Sequence, residues 1–253
     1  MKLFDKALPW LVALLSLGVF TWPLLIGAQQ PAETGLAQTF FLLLMPVLLV
    51  LVISQVSSGS LNTRQIAVLG VMIALNAAVR MLGAGTAGIE TAFFLIVIGG
   101  YAIGSAFGYL LGAGSLLVSA LFTGGTGPWL PFQMMAAGIV GLIAGALPKV
   151  RTKWAKLAVL GTWAVVGGYL YGGLMTMWNW PYLAGVGTSV SYLPGAPILS
   201  NLLRFLQFEL VTGGLLWDTG RAVTTVVLVL LTAPALLATL ERVSRRAGVM
   251  DRA

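Results

Sequence analysis

Apolar residues run through this chain in long blocks, separated by short breaks rich in glycine, proline or charge. Read between the breaks, the blocks predict helical spans near 8–28, 36–56, 65–83, 91–104, 107–122, 131–148, 157–178 and 220–240. Most approach the ~20 residues that a helix needs to cross a hydrocarbon core. The stretch 91–122, "TAFFLIVIGGYAIGSAFGYLLGAGSLLVSALF", is too long for one crossing and short for two. A reversal at Gly104–Ser105, where small residues permit a sharp turn, divides it into two short or tilted helices. The first run, "ALPWLVALLSLGVFTWPLLIGA", lacks a clean small-x-small cleavage site and is followed at once by a second apolar run. It is expected to be a retained helix and not a cleaved signal.

Composition agrees, with 58% hydrophobic and only 8% charged residues in a 253-residue chain. The expected fold class is therefore an all-α integral membrane protein. The chain has neither Cys nor His, which removes disulfides, Cys or His metal ligands and Cys or His nucleophiles. The net charge of +7 acts here as a topology signal. With a cytoplasmic N-terminus, eight crossings place Lys2, Lys6, Arg64, Lys149, Arg151, Lys153, Lys156, Arg242, Arg245, Arg246 and Arg252 inside. Only Arg80, Arg204 and Arg221 are left at the outer side, as the positive-inside rule expects. Both termini are then cytoplasmic. The same charge implies affinity for anionic headgroups of the bilayer and gives little reason to expect nucleic acid, because there is no soluble basic domain.

In this topology, two irregular segments face outward: "TGGTGPWLPFQM" (123–134) and the long connection 179–220, which contains the amphipathic piece "NLLRFLQFEL". With "RMLGAGTAGIE" they gather Arg80, Glu90, Arg204, Glu209, Asp218 and Arg221 beside Trp129, Trp178, Trp180, Tyr182, Tyr192 and Trp217. Tryptophan and tyrosine at helix ends commonly serve only as interfacial anchors, and Pro128 and Pro131 suit a helix boundary. The combination favours a site. Irregular backbone near membrane depth is tolerated where it lines a cavity or is buried in protein. Aromatics, free backbone groups and Gln133 there supply apolar area and oriented hydrogen bonds.

Small residues recur every fourth position in "GVMIALNAAVR", at Gly70, Ala74 and Ala78. This face lets a second helix approach closely, whether inside the bundle or from a partner. Gly138, Gly141 and Gly145, like Gly167, Gly168, Gly172 and Gly173, are expected to serve packing within the bundle. Asn76, an amide in mid-span, must face protein, a partner or a cavity. No "GxxxxGK[ST]" loop is present, so the chain has no P-loop ATPase of its own. No charge lies in the middle of an expected span, which argues against a proton relay or an ion-coupled carrier.

From about 65 to 241 the chain resembles the substrate-specific (S) component of energy-coupling factor (ECF) transporters. The likeness rests on the small-residue helix "GVMIALNAAVR", the paired glycine-rich helices of 91–122, the "GPWLPFQM" turn, the glycine-rich helix after it, and two further spans around a long loop. It implies a six-helix core (61–253) preceded by an additional N-terminal helix pair (1–60), which the family pattern lacks. It also implies a bacterial cell membrane protein that captures a vitamin outside. Partners would be a transmembrane coupling (T) subunit and two ATPases, with no cofactor, no metal and no catalysis by the chain itself. The family's Ala-x-x-x-Ala face falls on Ala74 and Ala78, extended by Gly70, as the coupling-subunit interface. The family's pocket falls on the outer loops, with Arg80, Glu90, Trp129, Gln133, Trp178, Asn179, Trp180, Tyr192, Arg204 and Asp218 as expected substrate contacts. The sequence is similar to cobalamin-type members; riboflavin, thiamin, folate or a modified purine are alternative ligands. A subunit that binds no solute, and a lipid-modifying enzyme working with outer carboxylates and arginines alone, are the competing functions.

Overall fold

A computed structural model describes residues 2–25, 61–83, 88–183 and 187–246, together with 39, 42–47, 49–50 and 53–54. The expected second span (36–56) is therefore described only in part, and the last residues (247–253) lie outside the described residues. Among these residues the regular elements are all helical: α1 (Lys2–Phe20), α2 (Trp22–Leu25), α3 (Thr63–Gly83), α4 (Phe93–Ile103), α5 (Ser105–Thr123), α6 (Leu130–Ala146), α7 (Lys153–Met177), α8 (Trp180–Leu183), α9 (Ile198–Thr212) and α10 (Gly214–Arg246). Four are long and apolar enough to cross a membrane: α3, α5, α7 and the Gly214–Arg242 part of α10. The apolar helices α4 and α6 are shorter.

The break inside 91–122 falls at Gly104, whose φ of 140° lies in a region that L side chains rarely adopt. Its N–H still bonds Gly100 O, so α4 closes there and α5 starts at the next residue. This reversal brings α4, α5 and α6 into near backbone contact. A methyl group on Gly141 would sit 2.0 Å from the Gly108 carbonyl oxygen, so only hydrogen fits where α5 and α6 meet. Helices in lipid gain little from hydrophobic exclusion, and close approach through small residues replaces it. Gly138 and Gly145 do the same against the Tyr109 ring and the Ser105 backbone. On α7, Gly167 and Gly168 face Val140 and Ala222, whereas Gly173 has nothing within 4 Å.

Helices α3, α4, α5, α6, α7 and α10 alternate in direction and so define two ends. At one end, Lys156 pairs with Glu241 at 2.5 Å, and Tyr101 donates to Pro148 O. The other end carries Arg80, Glu90, Phe132, Trp178 and Arg221 and is covered by α8 and α9; we call it the cap end. Helix α10 starts at Gly214, six residues before the span expected from 220. Asp218 and Arg221 therefore lie in its first two turns and are buried, instead of sitting in a loop.

The N-terminal helices are built into this end. Phe20 meets Phe132 edge-on at 5.6 Å, and Trp22, 1% exposed, donates its indole N–H to Trp178 O at 2.9 Å. By contrast, Gly70, Ala74 and Ala78 lie exposed on α3, and a methyl group on Gly70 would meet nothing within 4 Å. That face is not used for packing among the described residues.

Candidate functional site

Every fourth residue of one α7 face, Gly168, Gly172 and Thr176, meets the start of α10 and the end of α9. Arg221 on α10 donates to Gly168 O at 3.2 Å. Asp218 occupies the space that a side chain on Gly172 would need. Glu209, at the end of α9, lies beside Thr176 and over Gly214. Two glycines thus make room for two carboxyl groups. Asp218 and Arg221, three apart and hence on one helix face, pair at 2.5 Å, and the Arg221 Nε–H donates to Glu90. The Arg221 guanidinium also lies 4.9 Å from the Tyr171 ring centre and 5.8 Å from that of Phe93. Glu90, Asp218 and Arg221 are 9%, 4% and 8% exposed. Desolvated charges of this kind persist only when each has its partner.

A second polar cluster joins α3 to α5. Asn76 lies one turn before Arg80 on α3, and Ser115 one turn before Ser119 on α5. Arg80 donates to the Ser119 hydroxyl at 2.7 Å. Asn76 and Ser115 are wholly buried, and their side chains make no hydrogen bond among the described residues. The expectation that the Asn76 amide turns toward protein or a cavity, and away from lipid, agrees with this placement.

The cap has a core of its own in Met177, Trp180, Tyr192, Phe205 and Phe208. Trp180 is fully buried, donates to Val190 O at 2.9 Å and meets Tyr192 and Phe205 edge-on. Asn201 closes the loop by bonding both the N–H and the carbonyl of Leu193. Arg204 straps the same loop through Ser189 O at 2.9 Å. Asn179 starts α8 by accepting from the Tyr182 and Leu183 N–H groups through its carbonyl. Burial pushes the Tyr182 hydroxyl up to about 12 and raises Tyr192 as well, so both stay neutral near physiological pH.

The structure brings Arg80, Glu90, Trp178 and Asp218 to one end and gives the other expected contacts different surroundings. Trp180 and Tyr192 are used as cap core, and Arg204 serves the cap loop. Trp129 is 46% exposed and folds back over Gly127. Gln133 is half-buried in the first turn of α6, its N–H bonded to Trp129 O. The aromatic of this turn that reaches inward is Phe132, stacked on Trp178 at 3.9 Å. Arg221 and Glu209 are the central groups that the sequence placed at this end without singling them out as contacts. The signal for Arg221 was its i,i+3 spacing from Asp218. A hollow of about 330 Å3 lies at the opposite end, lined by Leu147, Pro148, Ala158, Val159, Thr162 and Trp163; none of the expected contacts borders it.

No protein-family model, curated protein or solved structure matches the chain.

Proposed function

We propose that the chain is the solute-capturing subunit of an ECF-type vitamin importer in a bacterial cell membrane, with both termini cytoplasmic and eight crossings. The first candidate solute is cobalamin or a related corrinoid. The observation that carries this proposal is the separation of two surfaces along α3. Arg80, at the cap-end terminus of the helix, joins the buried polar cluster, while Gly70, Ala74 and Ala78 present a bare small-residue face. A helix so divided can hold solute at one end and dock a coupling subunit along its side. The cap over Glu90, Asp218 and Arg221, with its aromatic core, supports capture from the outer face. Glu90 and Asp218 are both engaged by Arg221, which counts against the acid–base work a lipid-modifying enzyme would need from them. Riboflavin, thiamin, folate or a modified purine would suit the same aromatic and polar groups and remain the alternative solutes.

The test separates binding from transport. Ala78→Leu projects a larger side chain from an exposed position, on a face other than the one that carries Asn76 and Arg80. Uptake by the assembled transporter should fail while solute binding by the purified chain persists. Equal loss of binding and uptake in a folded variant would remove the proposed coupling face.

A further inference from the structure

Glu209 is 3% exposed, and neither carboxyl oxygen has a hydrogen-bond partner among the described residues. The Thr176 hydroxyl lies beside it without making a bond of good geometry. The carboxyl group closes the corner between α9 and α10: Gly213 turns the chain there with φ 81°, and a methyl group on Gly214 would land 2.0 Å from Glu209 Oε2. Among the described residues, the charged groups around it offer no free cation. From α10 come Asp218 and Arg221, and ahead of α4 comes Glu90; Arg221 is already held by both carboxylates and by Gly168 O. The facing element α7 presents the uncharged Thr176 to it and places the Tyr171 ring beside Arg221. On α9 itself, Arg204 is turned to the Ser189 carbonyl.

An ionised carboxylate in such a place is largely cut off from solvent and has the Thr176 hydroxyl as its nearest donor, whereas a neutral acid avoids the cost of burying a charge. Burial, reinforced by Asp218, accordingly raises the pKa of Glu209, with Thr176 and Arg221 opposing.

We propose that Glu209 is a proton-dependent latch: the cap seats on the bundle with this carboxyl protonated, and the proton leaves when α9 swings away about Gly213–Gly214. This adds regulation to the capture site and rests on the view that solute passes beneath the cap. Its test uses no solute, so the latch and the transport function can fail separately. The sign follows from linkage. The group titrates higher closed than open, so closure takes up a proton. The closed state is favoured by acid and loses that advantage as pH rises from the open-state value to the closed-state value. Within that window the closed-to-open ratio falls about tenfold per pH unit.

The experiment is hydrogen exchange of the 198–212 amides in the full chain in lipid nanodiscs, from about pH 5 to about pH 8, a range spanned by buried carboxyls. Rates are normalised to intrinsic exchange at each pH. Protection in the native chain should fall by up to about tenfold per pH unit, and Glu209→Gln, a neutral isostere, should hold it high and flat. A flat native profile, or an equal slope in Glu209→Gln, overturns the latch. Should the variant fail to assemble, the native chain decides through dicyclohexylcarbodiimide, which attacks protonated carboxyls in apolar surroundings. Labelling of Glu209 at neutral pH, mapped by peptide mass spectrometry, sustains the latch; an unlabelled Glu209 overturns it.

Discussion

Replacing Arg221 by Met keeps an unbranched, flexible side chain of similar reach but removes the charge that Glu90 and Asp218 share. Both carboxylates are at least nine-tenths buried, and the guanidinium between them bonds Gly168 O as well. Removing one partner of such a network leaves uncompensated charge in a poorly solvated place, a loss of about 3–5 kcal/mol. The magnitude depends on burial, because a solvent-exposed pair would be worth no more than about 1 kcal/mol. The neutral triple variant Glu90→Gln/Asp218→Asn/Arg221→Met leaves no charge in this network and should recover most of the loss. Unfolding of the purified chain in detergent, followed by tryptophan fluorescence, measures both. A cost below about 1 kcal/mol, or a triple variant no more stable than the single one, would refute the argument that this network is a desolvated charge cluster.

Gly141→Ala should destabilise the chain by at least the 1–3 kcal/mol typical of overpacking (order of magnitude), because its methyl group meets the Gly108 carbonyl at 2.0 Å. Gly70→Ala, with nothing within 4 Å, should leave unfolding unchanged in the same assay. Trp22→Phe removes the bond to Trp178 O and should lower hydrogen-exchange protection of the cap, at a cost of about 0.5–1.5 kcal/mol. For topology, cysteines placed singly in the Cys-free chain at Lys153 and Leu199 should differ in intact cells: a membrane-impermeant thiol reagent should label only Leu199→Cys, and labelling at Lys153→Cys would invert the expected orientation.

What the sequence made legible follows from where its signals are local. Gly104 was readable because a glycine between two apolar runs leaves few alternatives to a turn. The α10 start was not, since "GGLLWDTG" carries turn-like Gly and Asp whose helical use depends on partners far along the chain. Asp218 fits there because Gly172, 46 positions earlier, has no side chain, and because Arg221 and Glu90 complete its charge balance. The aromatics of the cap show the same limit. Trp180 and Tyr192 are the right types for a ligand pocket, yet the structure uses them to pack Phe205 and Phe208, and composition cannot distinguish the two uses. The i,i+3 pair Phe205 and Phe208 in the amphipathic piece was the available hint that the loop holds a core. Phe20 and Trp22 lie inside the expected first span, where nothing in the sequence marks them; their contacts with Phe132, Trp178, Tyr182 and Tyr192 tie the N-terminal helices to the cap end.

The central claim is that this chain alone captures a vitamin without ATP. Isothermal titration of the purified chain in nanodiscs with cyanocobalamin, with mass spectrometry of any co-purified small molecule, tests it most directly. Capture predicts saturable, stoichiometric binding in the absence of ATP, and a vitamin or close relative among the eluted molecules. No binding of cyanocobalamin, riboflavin, thiamin or folate by folded protein, together with no co-purified small molecule, would contradict it.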